Sequence, residues 1–216
     1  MTATNLRATV SRVSWSLFAL SGIALLAACG SASSSTSTPT PTAPPATATP
    51  SPSRTGVPTT TDPCQVVTSQ EASALAGTTY GAGREDTTSG GAKICVYGYQ
   101  TVNVFSVLVA LAPDAATARA DWAQEEAKAQ AAVQQGAGSG ANITFNLNDV
   151  PNVPGADLAA VGTASGTVSG QTIAGSAIYL LKGATFLTFS DLLIGHAPPT
   201  TSAMEMQAQT SLGRLP

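Results

Sequence analysis

The side chains of this sequence that are able to do chemistry are few: three cysteines, one histidine and twelve acidic residues. The histidine, His196, lies in the segment IGHAPP between a predicted strand and a predicted helix, and no Gly-x-Ser-x-Gly nucleophile motif precedes it. A catalytic base needs a nucleophile and an orienting acid close by. We therefore interpret His196 as an exposed loop residue, and the sequence predicts no catalytic residue.

The acidic residues do not form a pattern that is typical of catalysis either. Glu125 and Glu126 are neighbours on a predicted helix, and neighbouring helical residues point in different directions. Asp121 and Glu125 share one face of that helix, with Lys128 close to Glu125, which is typical of a solvated helix face. The glycine-rich stretches lack the Gly-Lys-Ser/Thr of a phosphate-binding loop. We therefore expect no enzyme activity, no cofactor and no metal site.

The N-terminal segment has the layout of a secretory signal peptide. Arg7 and Arg12 are its only charged residues, and residues 15–28 are apolar or small. This run is shorter than the roughly 20 residues that a helix needs to cross a bilayer, so a permanent transmembrane helix is the weaker alternative. Residues 1–28 are predicted to be a signal peptide that is removed after export.

The last residues of this segment, Leu26-Ala27-Ala28-Cys29, resemble the bacterial lipobox. The resemblance implies that cleavage falls before Cys29 and that its sulfur receives a diacylglyceryl group. Two or more acyl chains hold a protein firmly on a membrane, where one chain gives only marginal binding. The implied partner is therefore the cell membrane, on its extracytoplasmic face. The alternative is a chance cysteine in a signal peptide.

The segment after the lipobox differs in composition from the rest of the chain. Residues 29–61 are almost wholly Ser, Thr, Pro and Ala after Cys29, with a single charge at Arg54. Such a segment buries too little apolar area to offset its loss of conformational entropy, so we expect a disordered tether. Residues 62–216 have the length of one globular domain. The chain has a net charge of -3 and no basic patch, which argues against nucleic acid as a partner.

The two remaining cysteines, Cys64 and Cys95, both fall in the predicted globular domain. An even number of cysteines in an exported domain predicts a disulfide. A metal site would need more ligands than these two cysteines and one histidine supply. We therefore predict a Cys64–Cys95 disulfide that ties the first helix of the domain to its first firm strand.

Hydrophobic periodicity and turn signals predict helices and strands throughout this domain. The predicted helices cover residues 63–76, 113–135 and 198–212, and the predicted strands cover residues 93–100, 102–111, 143–147, 158–168, 171–181 and 185–190. Residues 80–92 are predicted to be a loop or a weak edge strand, and the strand 102–111, apolar on both faces, is predicted to be central. Because helices and strands do not alternate strictly, the predicted fold class is α+β, with helices packed on a mostly antiparallel sheet.

Two cysteine motifs give the domain a family resemblance. Asp62-Pro63-Cys64 opens the first predicted helix, and Cys95-Val96-Tyr97 lies on the first firm strand. With the lipobox and the Thr/Pro-rich tether, they resemble a group of actinobacterial lipoproteins of unknown function, over residues 62–192. The resemblance implies an envelope-anchored α+β domain with an analogous disulfide, and it implies no particular activity. A looser similarity to the extracellular sensor domains of mycobacterial-type Ser/Thr kinases implies a ligand-binding architecture alone.

Four aromatic residues are the candidate ligand-binding residues of the domain. Tyr97, Tyr99 and Phe105 lie on adjacent predicted strands, and Trp122 lies on the long predicted helix. Their simplest interpretation is as core residues; the alternative is that they line a cleft between helix and sheet that binds an apolar ligand. The predicted function is that of a cell-envelope lipoprotein with a non-catalytic binding module for a lipid, a glycolipid or an envelope protein. The alternative is a structural or accessory subunit without its own ligand.

Overall fold

A computed structural model of the protein describes residues 57–88, 90–136, 142–168 and 170–216. The predicted signal peptide, the predicted lipidation site Cys29 and the predicted tether up to residue 56 lie outside the described residues. Within the described ranges, no helix combines the length and the apolar composition that a membrane crossing requires.

Four helices and seven strands make up the described part of the chain. The helices are α1 (Pro63–Val66), α2 (Ser69–Ala76), α3 (Ala115–Gly136) and α4 (Thr201–Leu212). The strands are β1 (Arg84–Thr87), β2 (Lys93–Tyr97), β3 (Val104–Leu111), β4 (Asn142–Asp149), β5 (Leu158–Val168), β6 (Gln171–Lys182) and β7 (Thr185–Ile194). Every predicted helix and strand has a counterpart among them. The first predicted helix is divided in two, and the segment 80–92 contains the short edge strand β1.

The seven strands form one sheet in the order β1-β2-β3-β7-β6-β5-β4, and all neighbours are antiparallel. The predicted α+β class with an antiparallel sheet is therefore confirmed. The strand predicted to be central corresponds to β3, which lies inside the sheet, whereas the central position belongs to β7. β7 continues to Ile194, beyond its predicted end at Ser190, because Asp191 is buried on the sheet and does not end the strand.

One face of the sheet is covered by α1, α2 and α4, and we call it the disulfide face. Its core includes Cys95 and Tyr97 of β2, Phe105 of β3 and Phe189 of β7, all buried. Because side chains alternate between the two faces along a strand, every second residue of these strands points to this core. The rings of Tyr80, Tyr97, Phe105 and Phe189 follow one another with neighbouring centroids 6.2 to 6.5 Å apart.

The opposite face is covered by α3, and we call it the Trp122 face. Ala118 and Trp122 of α3 belong to one cluster with Leu181 of β6 and Phe186 of β7. Ala118 and Trp122 are four residues apart, so they lie on the same side of the helix. The Trp122 ring is stacked on the Phe186 ring, with centroids 6.5 Å apart and an interplanar angle of 9°. α3 packs mainly on β4, β6 and β7.

The first predicted helix is interrupted before Thr68, so the prediction of one helix over residues 63–76 is wrong. The Asp62 carboxylate caps α1 by accepting a hydrogen bond from the backbone N–H of Cys64 at 2.8 Å. Thr68 then starts α2 with a capping box, in which its backbone N–H donates to the Glu71 carboxylate at 2.8 Å. A Thr followed three residues later by Glu favours a new helix start at that point. Here this local signal prevails over the continuous apolar pattern.

Two long-range contacts hold α1 on the disulfide face. The predicted disulfide is present and joins Cys64 of α1 to Cys95 of β2. Two residues along β2, the Tyr97 hydroxyl donates to the carbonyl oxygen of Val67 at 2.6 Å, and the carbonyl oxygen of Cys64 lies 3.2 Å away. These carbonyl groups lie at the end of α1, where helical partners are lacking. The tyrosine therefore stabilises the interruption between α1 and α2.

The C-terminal helix α4 is fastened to the domain by two basic side chains. The Arg214 guanidinium forms a bidentate pair with the Glu71 carboxylate, with N–O distances of 2.6 and 2.7 Å, and also donates to the carbonyl oxygen of Val66 at 2.8 Å. The Lys182 ammonium donates to the carbonyl oxygen of Leu212 at 3.1 Å. The hydrogen bonds from Arg214 lower the pKa of Glu71 from 4.5 to about 2.

Candidate functional site

The four aromatic residues predicted as a ligand site do not come together. Tyr97 and Phe105 are 1% and 0% exposed on the disulfide face, so the core interpretation is the correct one for both. Trp122 lies on the other face of the sheet, in the cluster under α3. Tyr99 is 50% exposed, because β2 ends at Tyr97 and Gly98 turns the chain with a φ of 71°. Of the four, Trp122 borders a groove.

A groove of about 550 Å³ lies beside Trp122, between α3 and the connection from β4 to β5. Residues 149–153 and 156–159 form its other walls. This volume is within the range of sites that hold a small molecule or a large side chain, roughly 300–1,000 Å³. The groove is the candidate functional site.

The start of α3 positions Trp122 at the groove. The Asp114 carboxylate accepts a hydrogen bond from the backbone N–H of Thr117 at 2.7 Å, and the Asp114 carbonyl oxygen accepts from the N–H of Ala118 at 3.0 Å. An acidic residue that accepts in this way fixes the first turn of a helix. Trp122 follows about two turns later on the sheet side, where stacking on Phe186 leaves 8% of its surface exposed.

The β4–β5 connection forms a wall with a fixed shape. The backbone N–H of Val150 donates to the carbonyl oxygen of Ala159 at 2.9 Å, and the N–H of Ala156 donates to the carbonyl oxygen of Val153 at 3.0 Å. Val153 is buried in the core of the disulfide face, which anchors the middle of the connection. Asn152 has a φ of 67°, a left-handed conformation that asparagine adopts more readily than most residues.

Two carboxylates at the groove give it a negative charge. Asp157 accepts a hydrogen bond from the backbone N–H of Gly183 at 2.7 Å and forms an exposed ion pair with Arg119 at 3.4 Å. Asp149 is exposed at the end of β4, and its carboxylate has no hydrogen bond or ion pair with any described residue. The groove therefore combines apolar walls with one paired and one unpaired carboxylate, an arrangement suited to non-covalent binding.

The structure describes the predicted loop histidine and part of the helix face that is predicted to be solvated. His196 is exposed just beyond β7, as predicted. Asp121 is half-buried on α3, whereas the side chains of Glu125, Glu126 and Lys128 lie outside the part of the chain that the structure describes. Over the described ranges, no group of three His, Cys, Asp or Glu side chains is placed to hold a metal ion.

A buried acid on the disulfide face is a second polar feature, which was not among the residues predicted from the sequence. The two carboxylate oxygens of Asp191 accept hydrogen bonds from the backbone N–H of Ser176 at 3.1 Å and from its hydroxyl at 2.6 Å. Burial raises the pKa of Asp191 from 3.8 to about 6, against the opposing effect of the Ser176 hydrogen bonds. The nearby Tyr80 hydroxyl is also buried and has no hydrogen-bond partner among the described residues. Burial and the charge of Asp191 raise the pKa of Tyr80 to about 12.

A pattern in the sequence does indicate that Asp191 is buried. Residues 187, 189, 191 and 193 of β7 all lie on one face of the sheet. The three that accompany Asp191 are Leu187, Phe189 and Leu193. An acid in such a series occupies a core position. The sequence contains this period-2 pattern, but the predicted strand ended at residue 190 and left Asp191 outside it.

Comparisons with protein-family models, with curated proteins and with solved structures find no match for this chain. Cys29, the predicted lipidation site, lies outside the described residues. The function is therefore inferred from the groove beside Trp122 and from the motifs of the N-terminal segment.

Proposed function

We propose that this protein is a cell-envelope lipoprotein whose folded domain is a non-catalytic binding module. In this proposal, Cys29 carries the lipid that holds the protein on the extracytoplasmic face of the membrane. The domain binds an apolar molecule, a glycolipid or a segment of an envelope protein in the groove beside Trp122. The observation that carries the proposal is this groove, which has aromatic and aliphatic walls and carboxylates beside them.

Support for the anchor comes from the order of the N-terminal segments. Leu26-Ala27-Ala28-Cys29 ends an apolar run, and a segment of Ser, Thr, Pro and Ala follows it. In this proposal the Ser/Thr/Pro/Ala segment is the tether between the lipid and the domain, and its prolines favour a partly extended chain. A compact domain on such a tether searches the space above the membrane, which suits the capture of a ligand or a partner.

The anchor is tested by cell fractionation of the Cys29→Ala variant, with Ser31→Ala as the matched control. We expect the Cys29→Ala protein to leave the membrane fraction and the Ser31→Ala protein to remain there, because the thiol is the acylated group. A Cys29→Ala protein that is processed and stays with the membrane as fully as the wild type contradicts the anchor.

Support for the groove as the binding site comes from its fixed walls. Trp122 is held by its stacking on Phe186, and the opposite wall is held by Val153 in the core of the domain. Preformed walls reduce the entropy that a site loses when its ligand binds. The groove therefore provides apolar contact area without rearrangement of the sheet.

Tryptophan fluorescence tests the groove directly. The chain has two tryptophans, and Trp15 lies in the predicted signal peptide, so Trp122 is the reporter in the mature chain. The mature chain, residues 29–216 with Cys29→Ala, is titrated with a dispersed long-chain alcohol, an uncharged glycolipid and peptides. We expect at least one of these probes to change the emission, and we expect Pro151→Arg, which narrows the groove, to weaken that change. Thr163→Arg, an exposed position on β5, is the control. A flat response to every probe contradicts the binding module.

The accessory-subunit alternative is favoured by a different surface. Ile94 and Val96 of β2 and Leu108 of β3 are half-buried on the Trp122 face, while α3 packs mainly on β4, β6 and β7. Apolar side chains that are left partly exposed together are typical of a protein interface. A photo-crosslinker at position 94 that captures one envelope protein in cells, together with a flat fluorescence titration, favours this alternative.

A further inference from the structure

The walls of the groove are mainly aliphatic. Val150 and Leu158 are half-buried in its lining, Pro151 is exposed there, and Val153 is buried in the core of the disulfide face. Trp122 is the aromatic residue of the lining. Such walls favour an aliphatic group, because apolar surface that leaves water stabilises the bound state in proportion to its area.

The charge at the groove restricts the polar group that such an aliphatic stem can carry. The Asp157 carboxylate is engaged by Arg119 and by the N–H of Gly183, whereas the Asp149 carboxylate is unpaired within the described chain. The whole chain also carries a net charge of -3. An anionic ligand is therefore repelled, and a cationic group finds a ready partner in Asp149.

A long basic side chain has both of these properties. Lys and Arg carry a charged group on an aliphatic stem, and the stem packs on apolar surface while the charge stays in water. The exposed position of Asp149 matches this arrangement, because the cation need not be buried. Guanidinium also pairs with a carboxylate through two parallel hydrogen bonds, which makes Arg the better fit of the two.

We propose that the groove beside Trp122 docks an arginine side chain, or a lysine side chain, of a partner envelope polypeptide. The stem lies along Val150, Pro151 and Leu158, and the cation pairs with the Asp149 carboxylate. This inference rests on the proposed binding function of the groove and names the chemistry of its occupant.

The test uses the mature chain with Cys29→Ala and follows the Trp122 indole resonance by NMR. The probe is a Gly/Ser peptide with a single central arginine, capped at both ends, and the matched neutral probe carries norleucine at that position. We expect the arginine peptide to shift the indole resonance at lower concentration than the norleucine peptide. Added salt should reduce this difference, since the ion pair is exposed to solvent.

The matched variants are Asp149→Asn and Asp86→Asn. Each removes one exposed carboxylate, but Asp86 lies on β1 at the opposite edge of the sheet. We expect Asp149→Asn to weaken arginine-peptide binding by about 2- to 5-fold, as for an exposed ion pair, and Asp86→Asn to leave it unchanged. Both variants should retain the wild-type amide spectrum, because neither side chain is buried.

The outcomes separate this inference from the function on which it rests. Equal binding of the norleucine and arginine peptides, or an Asp149→Asn variant that binds as the wild type does, overturns the basic-side-chain inference and leaves the groove as a binding site. Spermidine that binds as tightly as the arginine peptide overturns the assignment to a polypeptide. If the long-chain alcohol and the uncharged glycolipid also leave Trp122 unaffected, as the peptides do, both the inference and the proposed function are wrong.

Discussion

The two faces of the sheet are covered in different ways. On the disulfide face, three helices are tied down by the Cys64–Cys95 bond, by the Tyr97 hydroxyl and by the pair between Arg214 and Glu71. On the Trp122 face, the single helix α3 provides the cover, and its largest ring borders a groove. The core of the first face also contains more of the large buried side chains than the second.

This difference separates the scaffold of the domain from the proposed binding groove. A face whose side chains interlock cannot admit a ligand without losing packing over its whole core. The walls of the groove, in contrast, are not fully packed against other side chains, so a bound ligand can supply the missing contacts. We therefore infer that the disulfide face contributes most to the stability of the domain, and we propose that the groove, whose walls come from both clusters, determines what the domain binds.

The largest expected effect compares one phenylalanine on each face. Phe105→Ala removes a fully buried ring from the disulfide face and should lower the free energy of unfolding by about 3–5 kcal/mol. Phe186→Ala removes a half-buried ring under Trp122 and should cost less, because part of that ring is already in contact with water. Urea denaturation of both variants measures the difference. Equal losses of unfolding free energy would show that the two faces contribute alike to stability and would contradict the difference inferred between them.

The disulfide should contribute an effect of nearly the same size. The double variant Cys64→Ser, Cys95→Ser opens a loop with a sequence separation of 31 and should lose about 3–4 kcal/mol of unfolding free energy in the chain-entropy model. Fluorescence titrations of the refolded double variant should still show the proposed ligand binding, since neither cysteine lines the groove. A variant that keeps its stability contradicts the structural role of the bond, and one that folds but loses binding shows that the groove depends on the bond.

The buried acid makes the stability of the disulfide face depend on pH. The pKa of Asp191 is about 6 in the folded protein, against 3.8 without burial, so its contribution is complete below pH 3.8 and is lost as pH rises through 6. We expect the unfolding free energy to fall by about 1–3 kcal/mol from about pH 4 to about pH 7. Glu71 acts in another window, because its pKa is lowered to about 2 and its contribution is lost as pH falls from 4.5 through 2.

Urea denaturation at several pH values checks this expectation, with Asp191→Asn as the comparison. The variant should lack the loss of stability between about pH 4 and about pH 7, because its amide does not titrate. Parallel curves for the variant and the wild type would show that Asp191 is not the group responsible.

The smallest expected effect compares two buried tyrosines on the disulfide face. Tyr97→Phe removes the donor to the Val67 carbonyl group and should cost about 1–2 kcal/mol. Tyr80→Phe removes a buried hydroxyl that has no partner in the described chain, so the unfolding free energy should stay within about 0.5 kcal/mol or rise. Thermal unfolding of the two variants ranks them. A larger loss for Tyr80→Phe would reveal a partner for its hydroxyl and contradict this assignment.

Local sequence patterns were sufficient to predict most of the helices and strands and the Cys64–Cys95 disulfide. The pair Cys64 and Cys95 followed from cysteine arithmetic in an exported domain, and the strands followed from their period of two. The antiparallel sheet followed from the succession of hairpins without strict alternation with helices. Even the error over residues 63–76 is local, since Thr68 and Glu71 form a capping box that is visible in the sequence.

Only the tertiary structure decided which residues meet. Periodicity shows that Tyr97, Phe105 and Trp122 belong in apolar surroundings, but it does not show that the first two lie on one face of the sheet and the third on the other. The central place of β7, the burial of Asp191 and the groove between α3 and the β4–β5 connection likewise depend on strands that are distant in the chain. The physical reason is that local signals fix the conformation of a segment, whereas the order of strands and the choice of face are fixed by the packing of all segments together.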